Sequence, residues 1–98
     1  MGENSRFSWE EHRVAQRETT VGPEAGIHGR PAARILKAAK SFSSQIFLVK
    51  GDREVNAKSI IKITGFARKG EQVIVRAEGD DAEQAVETVA EAISADED

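Results

Sequence analysis

The chain has no cysteine, which excludes disulfides, thiolate nucleophiles and cysteine-built zinc sites at once. Histidine is almost as scarce: His12 and His28 are the only two, and no ligand set forms around either, so no metal site is expected. Tyrosine is absent, and Trp9 with four phenylalanines makes up the whole aromatic complement. That leaves little surface on which nucleobases could stack, and nucleic acid is not expected as a partner. The longest apolar runs, IFLV and SII, are far too short to cross a bilayer, so no membrane insertion is expected. The start, MGENSRFSWEEHR, lacks the apolar stretch of a secretory signal, and a cytoplasmic location is the expectation.

What is present suits one small domain: 98 residues, of which 39% are apolar, enough for a modest core without staples. The net charge of −3 hides a polarity along the chain. From Ala25 to Gly51 there is no acidic residue, while Arg30, Arg34, Lys37, Lys40 and Lys50 are all there. From Glu78 to Asp98 there is no lysine or arginine, and acidic residues recur throughout. A basic patch on an acidic protein points to one anionic ligand or to an acidic partner face.

Residues 1–13 are polar and unpatterned and are expected to form a flexible N-terminal extension, leaving 14–98 as the domain. Val14 to Val21 reads as a first strand, and GPEAG (22–26) as a loop. A helix follows with Pro31 near its start, where a missing N–H has no cost, and with Ala32, Ile35, Leu36, Ala39 and Phe42 as its buried stripe. Arg30, Arg34 and Lys37, at i, i+4 and i+7, share another stripe. Ser43-Ser44 ends this helix. Gln45 to Val49 is a short strand, KGDR (50–53) turns the chain, and Glu54 to Asn56 returns as a hairpin. KSIIKIT (58–64) fits either a strand, by its β-branched content, or a short helix. Gln72 to Ala77 alternates cleanly. Asp80 or Asp81 then caps a last helix with the stripe Ala82, Ala85, Val86, Val89, Ala90 and Ile93. The order β-α-β-β-(short α)-β-α predicts an α+β fold: an open-faced sandwich with a four-stranded antiparallel sheet and the helices on one face.

His28 stands just ahead of the first helix. A helix N-terminus offers unpaired N–H groups and roughly half a positive charge, a ready anion site. Gly29 has no Cβ to keep a tetrahedral ligand from the backbone, and the Arg30 guanidinium matches phosphate geometry. A neutral imidazole is a nucleophile, so these groups suit a ring that accepts a phosphoryl group and is left holding a dianion. A histidine there can equally be a mere cap, and the three cations an ordinary solvated face; position alone leaves both readings open. General acid/base catalysis lacks an orienting carboxylate, since only Glu24 is near in sequence.

The string Gly26-Ile27-His28-Gly29-Arg30-Pro31-Ala32-Ala33 resembles the GLHARPAA signature of the HPr family, the histidine-containing phosphocarriers of the phosphoenolpyruvate:sugar phosphotransferase system. FSSQI (42–46), NAKSI (56–60) and AEGDD (77–81) resemble further landmarks in that family's order, so the likeness covers roughly residues 14–95. It implies the HPr-like sandwich with three helices on one face. It further implies a phosphoryl relay in sugar uptake or its regulation, rather than an enzyme turning over a small substrate alone, and no cofactor. His28 would carry the phosphoryl group on Nδ1, taken from phospho-enzyme I and passed to enzyme IIA. Gly29 and Arg30 would hold the phosphate, and Arg34, Lys37, Ile60 and Ile61 would dock partners. Ser59 matches the family's regulatory serine, the target of an HPr serine kinase/phosphorylase in some bacteria. By its own sequence Ser59 also reads as the cap of a short helix, worth about 1 kcal/mol. A monomer is expected. The alternatives are a nitrogen-branch HPr-like phosphocarrier (NPr) and a regulatory binding module switched by phosphorylation at Ser59. Two features depart from the family pattern. Gly29 stands where alanine or threonine is usual, and the segment 63–69 is one residue short, next to the docking surface.

Overall fold

Alternation along Gln72–Glu78 puts Val73, Val75 and Ala77 on one side, and all three are buried. That strand lies inside a four-stranded sheet. In the computed structural model, which describes residues 13–96, the elements are β1 (Val14–Thr20), α1 (Gly29–Lys40), β2 (Gln45–Lys50), β3 (Arg53–Asn56), α2 (Ile60–Ile63), β4 (Gln72–Glu78) and α3 (Ala82–Ser94). The strand order is β1-β4-β2-β3, and every neighbouring pair is antiparallel. The fold is therefore the expected open-faced α+β sandwich with three helices. The expected extension, residues 1–13, lies outside the described residues except for Arg13.

The core forms between the sheet and the helices. Ala15, Ile46, Leu48, Val73, Val75 and Ala77 come from the strands, and the α3 stripe Ala82, Ala85, Val86, Val89, Ala90 and Ile93 is buried against them throughout. α3 crosses β1 and β4, α1 packs beside α3, and α2 sits against α1 and β3. Full burial of a side chain such as Ile35 or Ile93 contributes roughly 1.5–3 kcal/mol. The other face of the sheet is open. On it Phe47 pairs across the strands with Arg76, whose guanidinium lies 4.9 Å from the Phe47 ring centroid and is ion-paired with Glu54 and Glu78.

One open choice is decided in space, and two local expectations resolve differently. KSIIKIT forms a helix over Ile60–Ile63, not a strand. The Asn56 side chain accepts from the Lys58 N–H at 2.8 Å, which ends β3 in a side-chain turn. Ser59 then caps the new helix by accepting from the Lys62 N–H. α1 ends at Lys40, with Ser41 as its C-cap, before Ser43-Ser44. Asp81 does occupy the N-cap of α3, but its side chain makes no capping bond. Its carboxylate instead accepts from the Ser43 N–H at 2.9 Å, the Ser44 N–H at 3.0 Å and the Ser44 hydroxyl. The Ser44 hydroxyl first, and then the Ser43 amide, hold the Asp81 carboxyl down to about 2.

Candidate functional site

Ile27 is fully buried, and its backbone is held from both sides by the loop after α2. Its N–H donates to Ala67 O at 3.1 Å, and its carbonyl accepts from the Gly65 N–H at 2.7 Å. Phe66 and Ala67, at 1% and 2% exposure, anchor that loop in the core. A rigid residue 27 delivers an exposed residue 28. His28 is extended (φ −139°, ψ 161°), occupies the N-cap of α1, and makes no side-chain capping bond. Its imidazole is therefore not engaged in the structural task that the sequence left open for it.

The helix beyond is built to leave its start unpaired. The N–H groups of Gly29 and Arg30 have no intrahelical acceptor, and Pro31, third in the helix, has none to satisfy. No acidic residue stands in the first turn. Gly29 has φ +52° with open space where a Cβ would sit. Left-handed backbone, rather than crowding, is thus what favours glycine there. Ala25, His28, Gly29, Arg30 and Pro31 line one open cleft of about 450 Å³. Glu24, the nearest acid in sequence, is ion-paired with Lys69 at 3.2 Å. The arrangement is an uncapped imidazole, a positive helix end and a guanidinium at one solvent-facing cleft. Such a set can take a phosphoryl group and stabilise the charge it brings. Among the described residues no group of three His, Asp or Glu could hold a metal ion, and no helix is long and apolar enough to cross a membrane.

The remaining residues singled out by sequence fall into three places. Ile60 and Ile61 are 41% and 83% exposed on α2, an unusual display for isoleucine in a small domain. Lys37 is exposed on α1. Ser59 is half-buried at the α2 cap. Arg34 is engaged within the fold. Its Nε and Nη2 donate to Ala92 O at 3.2 and 3.1 Å, and Nη2 also donates to Ala95 O at 3.2 Å. α3 has no basic residue in its own last turn, so Arg34 supplies the cation that its terminal carbonyls favour.

One residue at the site escaped the sequence reading. A Cβ placed on Gly65 would lie 3.4 Å from Cε1 and 3.9 Å from Nε2 of His28, so that edge of the ring lies beside Gly65. Its only sequence signal is a glycine just after a short helix, which reads as an ordinary helix end. Downstream, Glu71 braces the same loop by accepting from the Arg68 N–H at 2.8 Å and from Lys50 Nζ at 3.0 Å. Those two bonds, the amide first, hold its carboxyl below the usual range.

Comparison with known proteins fits this geometry. Residues 15–95 match the family described as the PTS HPr component phosphorylation site. The phosphocarrier protein HPr of Buchnera aphidicola subsp. Schizaphis graminum is 41% identical over 73 residues, covering 74% of this chain and 86% of its own. The crystal structure of HPr-C-His from Thermoanaerobacter tengcongensis superposes with a TM-score of 0.76 at 38% identity, covering 81% of this chain and 90% of that one. A phosphocarrier protein HPr from Bacillus anthracis gives 0.77 at 34% identity, over 83% and 98%. A likeness that spans nearly all the described fold, at these identities, settles the kinship: this chain is a member of the HPr family of the phosphotransferase system.

Proposed function

We propose that the protein is a phosphocarrier in which His28 accepts a phosphoryl group on Nδ1 from phospho-enzyme I and hands it to an enzyme IIA domain. The observation that carries this is the exposed, uncapped imidazole of His28 at the open cleft ahead of α1. In the tautomer that keeps its proton on Nε2, Nδ1 holds a free lone pair. That pair attacks phosphorus while the bond to the donor's nitrogen breaks and its electrons return to the donor. The ring keeps its Nε2 proton throughout, and the three phosphoryl oxygens come to lie beside the Arg30 guanidinium and the first amides of α1. The reverse step delivers the group to enzyme IIA. Ile60, Ile61 and Lys37 make the docking face for these acidic partners, so encounters are brief and steered by charge. Arg34 contributes positive potential there while its guanidinium stays on α3.

Ser59 is the regulatory position in this reading. A phosphate there would place about −1.5 to −2 charges beside Ile60 and Ile61 and weaken docking of an acidic partner. An HPr serine kinase/phosphorylase is the corresponding modifying enzyme. The protein acts in the cytoplasm as a monomer. The decisive experiment mixes the purified chain with enzyme I and labelled phosphoenolpyruvate: label should enter the chain and be absent from His28→Ala. Persistent labelling of that variant would refute the assignment.

A further inference from the structure

We infer that Gly26 is a positioning residue for His28: only a residue without a Cβ lets the backbone ahead of the histidine dock on the Ala67 carbonyl. The inference rests on the relay reading for its functional meaning; its geometry is independent of that reading. Gly26 has φ +80°, and a Cβ there would lie 2.7 Å from Ala67 O and 3.1 Å from Arg68 Cα. Even a close C–H···O contact keeps roughly 3.3–3.6 Å between carbon and oxygen, so with a side chain at 26 the backbone must move. The atom in the way is the acceptor of the Ile27 N–H, at 3.1 Å.

Neither side can retreat without loss. Ala67 and Phe66 are packed in the core, and the Arg68 N–H just after them is held by the Glu71 carboxylate at 2.8 Å. On the opposite side the Gly26 N–H donates to Pro23 O at 3.0 Å, and the Gly22 N–H donates to Ile93 O at 3.1 Å, tying the loop's start to α3. The His28 N–H in turn donates to the carbonyl of Gly26 itself at 3.0 Å. That three-residue turn passes any movement of residue 26 to residue 28. A methyl group at 26 therefore widens the gap that the Ile27–Ala67 bond spans and moves the backbone that presents the imidazole. Reacting groups displaced by about 1 Å can lose on the order of 100-fold in rate.

Gly70 supplies a backbone-matched control. Its φ is +86°, yet nothing lies within 4 Å of a Cβ there. Alanine at either position carries similar left-handed strain, and only at 26 does it also meet backbone. The full chains are compared under conditions where urea titration shows them folded. Gly26→Ala should speed hydrogen exchange at the Ile27 amide about tenfold or more, and should lower kcat for phosphoryl acceptance from phospho-enzyme I by about tenfold or more. KM should change little, because the proposed docking residues Ile60 and Ile61 are unaltered. Gly70→Ala should leave exchange and kcat near wild type. A second variant, with an ester replacing the peptide bond between Gly26 and Ile27, removes the Ile27 donor without adding a methyl group and should lower kcat likewise. The inference is overturned if Gly26→Ala keeps wild-type exchange and kcat, if Gly70→Ala matches its losses, or if the ester chain accepts phosphate at the full rate. Should Gly26→Ala fail to fold while Gly70→Ala folds, the steric requirement at 26 stands and the ester chain decides the positioning role. Should the wild type take no phosphate on His28, the relay reading fails, while Ile27 exchange in the two alanine variants still decides whether Gly26 seats the loop.

Discussion

The two long helices of this small domain begin in opposite ways. At the start of α3, Asp81 and Glu83 supply negative charge, and Asp81 ties in the α1–β2 connection through Ser43 and Ser44. At the start of α1 there is no acid, no side-chain cap and a left-handed Gly29. A capping side chain is worth about 1 kcal/mol, and an acid in the first turn about 0.3–1 kcal/mol. α3 has its first-turn acid; α1 forgoes both. A helix end left positive and open is a poor structural choice and a good anion site. Under the proposed relay, the contrast separates a terminus that serves stability from one left open to an anion.

The strongest way to break the contrast is to make α1 resemble α3. Arg30→Glu puts an acid in the first turn, so stability to urea should hold or rise slightly. Phosphoryl acceptance should nonetheless fall on the order of 100-fold, because a charge-assisted partner worth roughly 1.5–3 kcal/mol is replaced by a repelling group. Parallel unfolding and labelling assays would show the two effects moving apart; a variant that loses neither would dissolve the distinction.

The converse change is smaller and falls on stability alone. Asp81→Ala strands the donors of Ser43 and Ser44, the latter 2% exposed, and should cost about 1–2 kcal/mol in urea unfolding. Acceptance of phosphate should remain at the wild-type rate. Acid sharpens the same point. The Asp81 carboxyl is held down to about 2 in the fold against an ordinary 3.8, so the unfolded chain binds that proton more readily. The stability it contributes is complete above pH 3.8 and disappears as the pH falls toward 2. Wild-type and Asp81→Ala unfolding midpoints should therefore converge over that window. The smallest effect belongs to the short helix: Ser59→Ala removes the α2 cap and should cost about 0.5–1 kcal/mol, read as a modest fall in thermal midpoint with labelling of His28 retained.

Much of this was legible along the chain. The α3 stripe, from Ala82 to Ile93, repeats often enough that only a helix satisfies it, and every member is buried. Val73, Val75 and Ala77 specify a strand face in the same way. KSIIKIT was ambiguous because four apolar-rich residues fit either period; Asn56 and Ser59, acting on Lys58 and Lys62, decide for the helix. The residues of the cleft are neighbours in sequence, so His28, Gly29 and Arg30 could be picked out before any coordinates. Asp80 or Asp81 reads as the side-chain cap of the last helix because nothing in the sequence places Ser43 and Ser44 beside Asp81. Arg34 reads in sequence as one of three cations on a shared stripe, solvated or docking, because the α3 carbonyls it binds lie far along the chain.

Local chemistry, then, determined the elements, the core stripes and the identity of the candidate ring, since each depends on residues within one or two turns of one another. Only the packed fold decided what Asp81 and Arg34 hold, and that Gly65 lies beside the His28 ring. Those facts depend on which distant loops the sheet and helices bring into contact, and short-range sequence pattern carries no record of such distances.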